Sequence, residues 1–139
     1  MSFQLHPQLA KDCIHLGRLD LCRLLLMNDN QFPWFILVPE IPNISEAYQL
    51  SKQQRGQLQE ESCYLAEQLA QLFDADKMNI AALGNLVPQL HVHHVVRYRA
   101  DPAWPQPVWG KLSAIPYSIE QIQALRYRLD GQLGNYLKP

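Results

Sequence analysis

Between Ser51 and Asp74 the sequence supports one long helix, and that helix limits the folds open to the chain. Ser51 is a plausible N-cap, and Leu58, Cys63 with Tyr64, Leu65, Leu69 and Leu72 with Phe73 form a stripe near the 3.6-residue period. Gly56 weakens the helix by about 1 kcal/mol relative to alanine, too little to break one of this length. Asp74-Ala75-Asp76-Lys77 ends it. A single apolar stripe needs a surface to cover, and the flanking segments are strand-like, so the stripe is expected to lie on a sheet.

The strands are read from runs of aliphatic residues bounded by turn formers. His6-Pro7 followed by Gln8 to Lys11 starts a short helix, with proline in the first turn where its missing N–H costs nothing. Ile14 to Leu16 and Leu19 to Met27 are predicted strands separated by a turn at Gly17-Arg18. In the second, Leu21, Arg23 and Leu25 make a mixed face, and Cys22, Leu24 and Leu26 an apolar one. Asn28-Asp29-Asn30 turns the chain into Phe32 to Pro39, completing a hairpin. Glu40 to Asn43 is a loop, and Ile44 to Leu50 holds one irregular helical turn. Met78 to Leu83 resumes as a strand, and Gly84 to Pro88 connects it to the next.

The segment Gln89-Leu90-His91-Val92-His93-His94-Val95-Val96 is predicted to be a strand holding three of the five histidines. Side chains alternate along a strand, so Gln89, His91 and His93 share one face and His94 takes the other. Two imidazoles and an amide on one face cannot enter an apolar core without hydrogen-bond partners. That face is a candidate site, whereas His94 is expected to pack or hydrogen-bond under a helix. His6 and His15 carry no pattern and are given no role. Arg97 and Arg99 are read as a solvated strand end.

Asp101 to Gly110 is dense in proline, which excludes a helix or an inner strand. Its Trp104 and Trp109 could be core aromatics, or a rim against a ligand or a second subunit. Ser118 with Gln121 resembles a capping box, and Ile122, Leu125, Leu129 and Leu133 continue a helix over about 118–134. The expected fold is α+β, with a mainly antiparallel sheet, one long central helix and a C-terminal helix.

The 139 residues suit a single domain spanning 1–139, and a net charge of −1 gives no global field to attract nucleic acid. Cys13, Cys22 and Cys63 have neither the number for a disulfide framework nor a metal-like spacing, and are read as buried reduced thiols. No secretory signal is recognised, and no apolar run approaches the roughly 20 residues of a membrane span. A cytoplasmic protein without a membrane partner is expected.

The order hairpin, helix, strand, connection and Gln89-Leu90-His91-Val92-His93-His94-Val95 resembles the histidine triad family, whose signature is H-φ-H-φ-H-φ-φ with φ apolar. Gly84-Asn85-Leu86-Val87 is similar to the G-Q-x-V that precedes the triad, and Trp34 to Pro39 resembles the family's proline-ended hydrophobic strand. The resemblance covers about 19–110, with Gln89 replacing the first triad histidine. It implies a nucleotide hydrolase or nucleotidyl transferase, acting at the α-phosphate of dinucleoside polyphosphates or other nucleoside monophosphate conjugates. In that scheme His91 is the nucleophile that becomes covalently nucleotidylated, and its second nitrogen is held by the Gln89 carbonyl. His93 stabilises the phosphate and can donate a proton to the leaving group. Asn85 contacts a phosphate oxygen, and Asn28 matches a ribose-contacting position. Leu86 replaces a leaving-group contact made by Ser or Thr in some members. The family implies a homodimer and no cofactor. A nucleotide-binding protein with little turnover is the alternative, motivated by Gln89 and Leu86. A zinc site on His91 and His93 lacks a recognisable third ligand.

Overall fold

The computed structural model describes residues 2–139. The chain runs α1 (Pro7–Asp12), β1 (Cys13–Arg18), β2 (Cys22–Met27), β3 (Trp34–Pro39), α2 (Lys52–Phe73), β4 (Lys77–Ala81), β5 (Val92–Arg97) and α3 (Ile119–Leu133). The five strands form one sheet in the order β1-β2-β3-β5-β4, and every neighbouring pair is antiparallel. The α+β architecture with one long helix and a C-terminal helix is therefore as the sequence indicates. No described helix is long and apolar enough to cross a membrane.

Both long helices start where their caps place them. The Ser51 hydroxyl accepts from the Gln54 N–H at 3.1 Å and the Gln54 side chain accepts from the Ser51 N–H at 2.9 Å; Ser118 and Gln121 repeat the arrangement at the start of α3. Asp74 ends α2 in the left-handed conformation, which aspartate tolerates better than most residues. The buried stripe of α2 is Leu58, Glu61, Ser62, Leu65 and Leu69, whereas Cys63 is exposed, out of phase with the leucines. Cys22 is buried and Cys13 half-buried, so the three thiols do not share one environment.

Each of the five strands differs at a boundary from the sequence reading, and for three of them the local reason is evident. The histidine strand begins at Val92 and not at Gln89. Pro88 has no N–H, and the Leu90 N–H donates to the Ile44 carbonyl at 2.9 Å outside the sheet ladder. The second strand begins at Cys22 because the preceding turn is gathered by Glu61 of α2, whose carboxylate accepts from the Leu21 and Cys22 N–H groups at 2.8 and 3.0 Å. The first strand extends through Gly17, where a Cβ would stand 2.5 Å from the Lys138 carbonyl oxygen, so glycine permits the C-terminal segment to pair with Arg18. The third strand is Trp34–Pro39, starting two residues later than Phe32, and the fourth is Lys77–Ala81, ending two residues before Leu83.

Apolar residues fill both sides of the sheet. On one, Cys22, Leu24, Leu26, Phe35, Leu37 and Val96 meet Leu58, Leu65 and Leu69 of α2 and Leu125 and Leu129 of α3. On the other, Leu25, Trp34, Ile36, Val38 and Val95 are covered by Leu9 and by Ala103 and Val108 of the proline-rich loop. The histidines straddle this division.

Candidate active site

His93 lies opposite Ile36 of β3 and Ala81 of β4, and His94 lies opposite Phe35 and Ile80. Strand alternation thus sends His93 to the loop-covered face and His94 to the helix-covered face. His91, just before β5, joins His93, with ring centroids 4.9 Å apart and planes at 65°. The two rings are 7 % and 4 % exposed.

Each imidazole has a partner that fixes its proton. The Gln89 carbonyl lies 2.7 Å from His91 Nδ1; because a carbonyl only accepts, Nδ1 carries the hydrogen and Nε2 keeps a lone pair. At His93 the polarity is reversed. The Trp34 indole N–H donates to His93 Nδ1 at 2.9 Å, leaving the neutral ring's hydrogen on Nε2. His94 Nδ1 donates to the Val92 carbonyl at 3.0 Å, and its Nε2 accepts from the Ser62 hydroxyl at 2.7 Å. Burial, with the neighbouring His91 and His94, pushes His93 down to about 3, and burial pushes His94 down to about 4 against the opposing Val92 hydrogen bond. His93 and His94 are therefore neutral near pH 7. One face consequently holds an imidazole lone pair beside an imidazole N–H.

Aromatic packing fixes His93 further. Trp34 and Trp109 lie 5.8 and 5.3 Å from its ring centroid, and the two indoles meet edge to face at 6.0 Å. Trp109 is thus an inward-packed aromatic, whereas Trp104 stacks on the Arg97 guanidinium, 5.5 Å away. Arg97 is not a solvated strand end: it is 1 % exposed and donates to both Asp101 carboxylate oxygens, the Asn79 side chain and the Gln106 carbonyl. Arg97 points to the loop-covered face, so it anchors the loop that carries Trp109. Arg99 is exposed.

The remaining predicted residues are dispersed. The Gln89 side chain turns from His91 to the N-terminal segment, accepting from the His6 N–H at 2.8 Å and donating to the Gln4 carbonyl at 2.9 Å. With His6, Pro42, Asn43, Ile44 and Ser45 it borders a groove of about 650 Å³, and with Ser45 it also borders a hollow of about 20 Å³ that reaches His91. Neither cavity is lined by His93. Asn85 is exposed in the loop before the histidines, where Gly84 takes a φ of 73° that favours glycine. Leu86 is 95 % exposed. Asn28 follows β2 at the end of the sheet opposite His91, roughly 15 Å away along the strand direction. Its side-chain carbonyl accepts from the Tyr117 N–H at 2.9 Å. The structure thus joins His91 to His93 and the Gln89 backbone, and does not bring Asn28 beside them.

The sequence reading missed Trp34 as a histidine partner and His6 as a groove residue. Trp34 sits 59 positions from His93, and its only signal was the pairing of a proline-bracketed strand with the histidine strand. His6 caps α1, its Nδ1 accepting from the Gln8 N–H at 3.1 Å. Among the described residues, no group of three or more His, Cys, Asp or Glu side chains is arranged to hold a metal ion.

Comparison with known proteins agrees with this architecture. The HIT domain family model matches residues 8–100. A histidine triad protein from Marinobacter aquaeolei VT8 is 53 % identical and superposes with a TM-score of 0.94 over 96 % of this chain and 97 % of that one. A histidine triad protein from Sinorhizobium meliloti 1021 is 41 % identical, with a TM-score of 0.92 over 94 % and 97 % of the two chains. One from Bradyrhizobium japonicum is 39 % identical, with a TM-score of 0.92 over 95 % and 98 %. No curated protein matches. With a family model covering most of its length and relatives this similar across nearly all of it, the chain belongs to the histidine triad family.

Proposed function

We propose that this protein cleaves dinucleoside polyphosphates or other nucleoside monophosphate conjugates at the α-phosphate through a nucleotidyl-His91 intermediate. Histidine triad proteins are in general nucleotide hydrolases or transferases. The observation that carries the more specific reading is the opposed pair of tautomers. His91 offers a lone pair on Nε2 because Gln89 holds Nδ1, and His93 offers a hydrogen on Nε2 because Trp34 holds its Nδ1. A nucleophile next to a donor is what an in-line attack on phosphorus requires.

In this scheme His91 Nε2 attacks the α-phosphorus, and the bond to the leaving group breaks with the electron pair going to that group. Water then cleaves the P–N bond and returns the lone pair to His91. His93 and Asn85 donate to the phosphate oxygens, and Gln89, standing where the family signature has its first histidine, serves through its carbonyl. Asn28 is left out of this scheme, because it lies at the opposite end of the sheet from His91 with its Oδ1 engaged by the Tyr117 N–H. The chemistry calls for no cofactor. Incubation with α-labelled dinucleoside polyphosphate and an alkaline quench should leave label on wild-type protein and none on His91→Ala. Absence of label from the wild type across diadenosine polyphosphates and adenosine phosphoramidate would refute the covalent route.

A second reading is nucleotide binding with little turnover. It is favoured by Leu86, which projects an aliphatic chain into solvent and supplies no hydroxyl to a leaving group. Calorimetric binding without His91-dependent hydrolysis would select it.

A further inference from the structure

We propose that Trp34 is a positioning residue that locks His93 as a neutral Nε2–H donor, so that the leaving group departs without taking a proton from His93. This rests on the nucleotidyl-transfer reading above and specifies its leaving-group step. The indole nitrogen can only donate, and it stands 2.9 Å from His93 Nδ1. A second proton on His93 would have to enter at Nδ1, where two N–H donors would then face each other. The surroundings give such a cation no relief. His91 lies beside the ring, Trp34 and Trp109 enclose it from β3 and the proline-rich loop, and only 4 % of the residue is exposed. None of these neighbours is a carboxylate. Burial likewise drives His93 strongly towards its neutral form.

Trp34 is itself held in place. It pairs with Val95 in the sheet, and Phe32 and Trp109 pack edge to face on its ring at 6.4 and 6.0 Å. The neutral His93 has one hydrogen, on Nε2, and giving it away would leave an imidazolate. It can hydrogen-bond an oxygen of the transferring phosphoryl group, but it is not a general acid. When His91 Nε2 forms the P–N bond, the leaving oxygen or nitrogen therefore departs with its electron pair and its negative charge. An anhydride releasing a phosphate anion meets this condition. An alkoxide or an amide anion does not.

The test has a spectroscopic arm and a kinetic arm. In 15N-histidine NMR of the wild-type protein, His93 should show an unprotonated Nδ1 and a protonated Nε2 unchanged from pH 8 to pH 5. A proton on Nδ1, or titration in the ordinary histidine range, would overturn the proposal without any variant being made. Trp34→Phe, which keeps an aromatic ring and removes the N–H, should let His93 mix tautomers and gain a proton as pH falls; an unchanged His93 spectrum would also overturn it. In the kinetic arm, aryl adenylates with phenols of graded basicity are followed by His91 labelling. Wild-type rates should fall steeply as the phenol becomes more basic, as expected where no proton is supplied to the leaving oxygen, and the fall should flatten in Trp34→Phe. A flat wild-type series would count against the lock. Failure of every adenylate to label His91 would refute the nucleotidyl-transfer reading, while the NMR arm would still decide the state of His93.

Discussion

His91 Nδ1 and the Gln89 main-chain oxygen lie 2.7 Å apart, across one intervening residue. The orienting group is backbone, so it survives any side chain at position 89 that keeps the local path of the chain. The Gln89 amide is free for different work and holds the His6 N–H and the Gln4 carbonyl much as a neighbouring strand would. Gln89→Ala should therefore leave the rate of His91 labelling within about threefold of wild type, since no transition-state contact is removed. It should also raise amide exchange at His6, because losing one such bond costs about 1 kcal/mol locally. Exchange mass spectrometry and single-turnover labelling on one preparation check both halves. A large loss of rate with unchanged exchange would assign the side chain a part in the chemistry.

Acid should destabilise the fold through its buried imidazoles. His93 and His94 have folded values near 3 and 4, below the ordinary 6.5. The unfolded chain thus binds protons first as pH falls. Stability should be level above about pH 6.5 and decline below it, by up to about 1.4 kcal/mol per pH unit per histidine, until the folded values are reached. Urea titrations at pH 7.5, 6 and 5 measure the slope. His94→Gln should flatten it, and an equal slope in that variant would remove His94 as a cause.

What the sequence revealed here followed local periodicity. The period-two alternation separated His93 from His94, and the caps at Ser51 and Ser118 placed the starts of both long helices. Contacts that join distant segments were not legible. Glu61 and Ser62 sit on the buried side of α2 because a turn and a histidine on other elements need them, and no helical pattern announces that need. Cys63 entered the predicted stripe by being apolar, yet those two polar residues take the buried turn. Trp34 looked like an ordinary strand aromatic because its indole N–H has a use only once β3 lies beside β5.

The free edge of the sheet is where the homodimer implied by the family is expected. β4 pairs on one side only, and Ile80 and Leu83 are nearly half exposed there, with Leu86 just beyond. A bare edge strand carrying aliphatic side chains invites a partner. Sedimentation velocity should give a dimer, and Ile80→Lys should shift it to a monomer with the circular dichroism of the folded protein. A wild-type monomer at tens of micromolar would argue against an edge-mediated dimer.

Arg97 and Asp101 form a buried ion pair that should be costly to break. Both side chains are almost fully buried, and the guanidinium meets the carboxylate through two bonds of 2.8 and 3.1 Å. Burial alone would raise the Asp101 carboxyl, but the Arg97 hydrogen bond and the Tyr98 and Ala103 N–H groups outweigh it and hold the carboxyl below its usual range. Arg97→Met would leave that carboxylate buried and unpaired, and should cost about 3–5 kcal/mol in denaturant unfolding. Asp101→Asn keeps an acceptor for the guanidinium and should cost less. Because this loop carries Trp109 onto His93, Arg97→Met should also lower His91 labelling among molecules that remain folded. The pH dependence separates the pair from the histidines. A carboxyl held low contributes stability that is full above its unfolded value and lost as pH falls through its folded value, so Asp101 adds to acid unfolding below pH 4, where the wild type should lose stability faster than Asp101→Asn. Parallel acid limbs in the two proteins would mean that the Arg97 contact does not depend on the charge of Asp101.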